Sequence, residues 1–111
     1  MTQYLLDETI EHSKRGESGA FRSLVEQHQG YAFALAFRIV CDEDTAKDIV
    51  QESFIRVWNH IREYDPAIKF TTWLYRIVVN LCFDQLKMDK RRKRVIENEQ
   101  ELDMGLTLGN S

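Results

Sequence analysis

FTTWLYRIVVNLCFDQLKMDKRRKR, residues Phe70 to Arg94, carries two separate stripes on one helical period. At about 100° per residue, Phe70, Trp73, Leu74, Ile77, Leu81 and Met88 fall together, as the side a helix turns toward a core. Arg76, Asn80, Phe83, Lys87, Lys90 and Arg94 form a second line, stepping by four, three, four, three and four residues. A cationic row with an amide and a ring suits nucleic acid: charge for phosphate, a ring for stacking, an amide for a base edge. The macrodipole accounts for Arg91 to Arg94 near a helix C-terminus. It does not account for Arg76, Asn80 and Phe83, a turn or more upstream. Asparagine is unfavourable inside a helix, so a polar task for Asn80 is expected.

A chain of 111 residues has room for one domain and one modest core. The net charge of −3 hides an asymmetry: Lys69 to Arg94 holds eight Lys/Arg against Asp84 and Asp89, a local +6 that leaves −9 on the rest. A basic face on an acidic body implies a positioned partner rather than general stickiness. Cys41 and Cys82 lie far apart, both within expected helices, with no metal-type spacing. Free thiols in a reducing cytosol are the expectation. His12, His28 and His60 have no neighbour at ligand spacing, so neither a metal nor another cofactor is expected. No apolar run approaches membrane-spanning length and the polar start MTQYLLDETIEHSK is no secretory signal, which reads as a cytoplasmic protein without membrane insertion.

One proline, few glycines and long 3.6-period stretches predict an all-α fold, a compact bundle of about four helices. The first runs from about Thr2 to Lys14, with Tyr4, Leu5, Leu6 and Ile10 inward. Gly16-Glu17-Ser18-Gly19 is a stop and restart, with Ser18 as a cap. The second spans Ala20 to Val40 on Phe21, Leu24, Val25, Tyr31, Ala32, Leu35, Ala36 and Ile39. After the acidic turn Cys41 to Asp44, where Asp42 or Asp44 can cap, a third helix runs to Ile61 on Ala46, Val50, Phe54, Val57 and Ile61. Arg62 to Lys69 is a loop, because Asp65-Pro66 cannot continue a helix. The fourth starts near Thr71 as its cap and runs through Arg94 toward Glu101. Residues 1–95 form the domain, and 96–111 read as helix end and linker.

Opposite the core stripe of the third helix lie Asp48, Gln51, Glu52, Ile55 and Asn59, with Trp58 alongside. A solvated back would explain the polar members. A β-branched apolar residue at its centre makes a docking surface for basic and apolar groups an equal reading. No nucleophile–base pair and no glycine-rich phosphate loop is present, so an enzyme is not expected.

Asp48-Ile49-Val50-Gln51-Glu52-Ser53-Phe54-Ile55-Arg56-Val57-Trp58, followed by Phe70-Thr71-Thr72-Trp73-Leu74-Tyr75-Arg76-Ile77 and Asn80, closely resembles bacterial sigma factors of the sigma-70 type. The match is nearest the extracytoplasmic-function group and covers roughly Ala20 to Arg94. The resemblance implies a transcription-initiation domain, region 2, whose third helix docks on the clamp coiled coil of RNA polymerase core. Asp48, Gln51, Glu52 and Asn59 would make polar contacts there, with Ile55 and Trp58 adding apolar area. It further implies that the fourth helix and the loop Glu63 to Lys69 hold the non-template strand of the promoter −10 element during melting. Tyr64, Asp65, Lys69, Trp73, Arg76, Asn80, Phe83, Lys87, Lys90, Arg91 and Arg94 are the DNA-binding candidates, with Arg76 and Asn80 at the rim of a base pocket formed by the loop.

Leu74 stands where larger housekeeping sigma factors carry a second aromatic, implying reduced melting power and stricter promoter choice. The family's C-terminal helix-turn-helix is absent from the sequence, and a shortened piece of a longer chain is the expectation. The alternative to promoter recognition is a protein-interaction module alone, such as a surface held by an anti-sigma protein. A membrane-surface helix fits poorly, because Phe70 and Trp73 lie with the core and not opposite the charges.

Overall fold

A computed structural model describes the backbone of residues 3–109 and the side chains of residues 3 and 5–101. Within them the order is α1 (Gln3–Lys14), α2 (Ser18–Val40), α3 (Glu43–His60), a 3-10 turn (Ile61–Glu63) and α4 (Phe70–Gly109). No strand occurs among the described residues.

Each boundary has a local cause. Gly16 closes α1 at φ +83°, in the left-handed region that glycine reaches without a Cβ penalty. Its N–H donates to the Ser13 carbonyl and the Glu17 N–H to the His12 carbonyl, which satisfies the last acceptors of the helix. Ser18 is not the cap of α2: Glu17 occupies that position in an extended conformation, and its carboxylate pairs with His12 and caps nothing. Cys41 lies just past α2 at φ 56° and donates its N–H to Phe37, so it ends a helix and does not lie inside one. Asp42 caps α3. Its carboxylate accepts from the Thr45 N–H at 2.9 Å and the Thr45 hydroxyl at 2.6 Å, and these bonds hold it below the usual carboxylate range.

Helix α2 is the hub and packs on α1, α3 and α4. Its buried line is Leu24, His28, Ala32 and Ala36, at four-residue spacing, with Phe21, Val25, Leu35 and Ile39 half-buried beside it. Tyr31, expected on that stripe, is exposed. His28 is an unexpected core member: Nδ1 donates to the Leu24 carbonyl at 2.8 Å, and the ring meets the Phe70 ring edge-on at 4.8 Å. Alanines 32, 36 and 46 have no exposed surface, so α2 and α3 approach closely there. Ser53 is equally buried and donates to the Ile49 carbonyl, leaving no unsatisfied polar atom. In α1, Ile10 is buried and Leu6 half-buried, while Leu5 is exposed; the Tyr4 side chain lies outside the described residues.

The apolar stripe of α4 is rotated from the expected one. Phe70, Leu74, Val78 and Cys82 are buried, Trp73, Ile77 and Leu81 are half-buried, and Met88 is exposed. Met88 escapes burial because α4 outruns its neighbours: it sits beside Asp48, near the start of α3. Thr71 does not cap the helix. The Lys69 carbonyl already accepts from Thr72 and Trp73, and α4 starts at Phe70. The segment read as a linker continues α4 to Gly109, and Asn110 and Ser111 lie outside the described residues. The four helices form the expected bundle, and the projecting length of α4, roughly 30 Å beyond Met88, gives the molecule extents of 73 × 23 × 23 Å.

Candidate nucleic-acid interface

Two surfaces emerge from this packing. On α4, the buried line and the row Arg76, Asn80, Phe83, Lys87, Lys90 and Arg94 lie on opposite sides of the helix, and every member of the row is exposed. Phe83, at 52 % exposure, is an apolar ring held out in water between cations. Arg91 is exposed as well. Among the described residues, Arg76, Lys87, Lys90, Arg91 and Arg94 have no carboxylate within 4 Å, so their charge is uncompensated.

The loop before α4 is stiffened from within. Asp65 accepts from the Ala67 N–H through its side chain and from the Ile68 N–H through its carbonyl, making a turn around Pro66. Asp65 and Lys69 are exposed. Tyr64, a DNA-binding candidate, proves to be a core residue at 7 % exposure. Its hydroxyl donates to the Ile68 carbonyl, and its ring packs on Phe70 and Trp73, at 6.0 and 5.0 Å. Tyr64 therefore braces the loop from beneath and offers no free ring. Lys14 reaches from α1 to donate to the Tyr64 carbonyl at 3.1 Å, with Nζ 5.7 Å from the centre of the ring. Burial raises the Tyr64 pKa, and Asp7 and Asp65 add to the rise.

Trp73 is half-buried and stands at the edge of a cavity of about 350 Å3 lined also by Arg56, His60, Glu63 and Ile77. Glu63 alone comes from the loop segment. Arg76 and Asn80 do not line this cavity. Arg56 and His60 carry no apolar periodicity, so nothing in the sequence singled them out, whereas Glu63 opens the loop expected to hold the strand. Leu74 is fully buried, so its position serves the core.

On α3, Asp48, Gln51, Glu52, Ile55, Trp58 and Asn59 are all exposed, with Ile55 at 46 % on the side facing away from the core. Trp58 leans on Phe21 of α2, with ring centres 4.8 Å apart. Between the two helices runs an apolar groove of about 640 Å3, bordered by Phe21, Val25, Val50, Phe54, Ile55 and Trp58. Its α2 wall was not anticipated, because Phe21 and Val25 read as ordinary core positions. On the other flank of α3, Asp48, Glu52 and Asp84 line a smaller acidic groove of about 450 Å3, with Glu52 3.7 Å from Arg56. No group of three His, Cys, Asp or Glu among the described residues is placed to hold a metal ion, and no helix there is long and apolar enough to cross a membrane.

A helical bundle with an uncompensated basic, aromatic face on one helix and an acidic, apolar face on another defines a class of binding domain. The chain belongs to the sigma-70 region 2 family, whose model matches residues 24–92. It is similar to the ECF RNA polymerase sigma factor SigW of Bacillus subtilis, 34 % identical over 79 % of this chain and 47 % of the relative. The ECF RNA polymerase sigma-E factor of Haemophilus influenzae is 34 % identical over 97 % of this chain and 59 % of its own length. The chain thus spans about half the length of the curated relatives it matches. Among solved structures, an engineered region 2 of sigmaE, determined by NMR in complex with GTAAAA, matches with a TM-score of 0.74 and 35 % identity. That match covers 83 % of this chain and 97 % of the other.

Proposed function

We propose that this chain is the promoter-recognising domain of an extracytoplasmic-function sigma factor, formed by residues 1–95. In this reading α4 and the loop before it hold the non-template strand of the −10 element, and α3 docks on the clamp coiled coil of cytoplasmic RNA polymerase core. The observation that carries it is the exposed Arg76–Asn80–Phe83 row on the side of α4 opposite the core. The solved relative complexed with GTAAAA supports the choice of a single strand as ligand. Opening DNA requires the displaced strand to be held by cations and a surface that offsets lost stacking. One stacked base contributes on the order of 1–3 kcal/mol, close to the unstacking cost, so the isolated domain binds weakly and polymerase makes engagement firm. The domain positions a strand and catalyses nothing.

With about five phosphates contacted, log K falls against log salt with a slope near −3.5. The test is binding of −10 single strands and of polymerase core to paired variants. Asn80→Ala weakens and broadens only the first, and Glu52→Lys abolishes only the second. Unchanged base preference in Asn80→Ala would remove Asn80 from the base pocket. Polymerase binding that survives Glu52→Lys would move the dock off α3.

The groove between α2 and α3 favours a second reading for the same face, capture by an anti-sigma protein that presents an apolar helix. Competition between such a protein and polymerase core checks it.

A further inference from the structure

The projecting part of α4 is divided by charge into two halves of opposite sign. Lys87 to Arg94, KMDKRRKR, has six cations and one acid, and Glu97 to Glu101, ENEQE, has three acids and no base. Val95 and Ile96 stand between the halves. Residues 87–101 are exposed without exception, and Val95 and Ile96 each keep 54 % of their surface in water. The macrodipole does not account for the cations: α4 continues to Gly109, so Arg94 lies 15 residues from the helix end. Arg91 to Arg94 step around the helix at about 100° each. Each half also works against its own helix, since Lys87 with Arg91, Lys90 with Arg94 and Glu97 with Glu101 are like-charged pairs at i, i+4. Among the described residues the halves meet each other at one point, Lys93 to Glu97, at a long 4.0 Å. An apolar line crosses both halves: Met88, Val95 and, further along the sequence, Leu102 recur every seven residues, as one position of a coiled-coil seam does. Arg92 and Glu99 flank that line on one side, and Lys87 and Glu101 on the other.

A continuous helix cannot turn its acidic half back onto its basic half, so the complement has to come from another molecule. A second copy of this chain, running the other way, matches both halves in order. We infer that two chains associate through antiparallel pairing of their projecting α4 segments, about a two-fold axis beside Val95 and Ile96. In that register Val95 and Ile96 of each copy meet those of the other, and Met88 meets Leu102 of the second copy. Arg92 lies opposite Glu99 on one flank and Lys87 opposite Glu101 on the other, and symmetry makes each pair twice. A parallel pairing would set Arg92 on Arg92 and Glu99 on Glu99, so charge selects the antiparallel one. The overlap from Met88 to Leu102 is roughly 21 Å long, shorter than a permanent interface needs, and its ion pairs are exposed. The dimer is therefore weak and salt-sensitive. The pairing does not depend on strand binding, and its failure leaves that reading intact.

The experiment is sedimentation equilibrium of the full chain, without nucleic acid, over about 5 to 300 µM at about 50 mM salt. The mass starts at the monomer value of 13.1 kDa and rises with concentration toward twice that. Arg92→Glu and Glu99→Arg each weaken association by about tenfold or more, because each sets two like-charged pairs in the dimer. Both variants keep their helical circular dichroism, since both positions are exposed and both new residues are good helix formers. An equimolar mixture of the two associates as tightly as the unaltered chain, because each flank of the mixed pair again joins an acid to a base. A chain that stays monomeric over the whole range overturns the pairing. So does a mixture no tighter than either variant alone. Association that Glu99→Arg leaves unchanged overturns it too, and assigns the basic half to another acidic surface, such as Asp48 and Glu52 of α3 in a second copy.

Discussion

Tyr64 and Cys82 illustrate how single buried groups set the response of the fold to pH. Burial raises both pKa values above their ordinary positions, about 10 for tyrosine and 8.5 for cysteine. The folded state therefore keeps protons that the unfolded chain releases. Stability is complete below about pH 8.5 and falls as pH rises through the elevated folded values. Urea midpoints measured from pH 7 to 11 are expected to show that decline. Tyr64→Phe flattens its upper part while lowering stability at pH 7 by about 0.5–1.5 kcal/mol, through the lost hydrogen bond to Ile68. At this scale the sequence is legible where a residue breaks a pattern. Ile55 stands out on a polar face, and it is exposed. His28 and Ser53 were illegible because each is polar in type but satisfied within its own helix, by Leu24 and Ile49. Composition cannot report that bond. Tyr64 misled for the converse reason, since an aromatic in a loop reads as available until its neighbours are known.

Element by element, legibility followed packing. Helices α2 and α3 and the first half of α4 show a period because each has a partner to face, and their existence was readable from that period alone. Boundaries depend on one or two hydrogen bonds. Asp42 was readable as a cap, whereas Ser18 and Thr71 resembled caps that the backbone did not use. The last part of α4 was misread because a helix with nothing to pack against needs no apolar period; local propensity in Glu97 to Glu101 is enough. Gly30 offers a direct test of propensity in α2. A Cβ there meets nothing within 4 Å and its φ is not positive, so the residue has no steric reason to be glycine. Gly30→Ala raises unfolding free energy by about 0.5–1 kcal/mol, read from denaturant midpoints.

For the whole molecule, α4 is at once the staple of the core and the carrier of the basic face. Leu74→Ala lowers stability by about 2–5 kcal/mol, a large part of the roughly 5–15 kcal/mol typical of a domain. Thermal melts followed by helix signal and by single-strand binding then shift together, since the face has no support apart from the core. Shape is the second global observable. The Cα radius of gyration is 20.1 Å, against about 13 Å for a compact chain of this length. Small-angle scattering is expected to return a value near 20 Å, and one near 13 Å would mean that the distal segment folds back. Composition points to the bundle, which is what the four helices form, but it does not register that one helix is longer than its neighbours.

The placement of Arg91 to Arg94 around every azimuth of α4 also makes their grip indifferent to phase. One alanine inserted between Leu86 and Lys87 would turn these cations by about 100° and advance them by about 1.5 Å, yet still present positive charge in each direction. The helix would then act like a splined shaft, its charge keyed to axial distance but free in rotation.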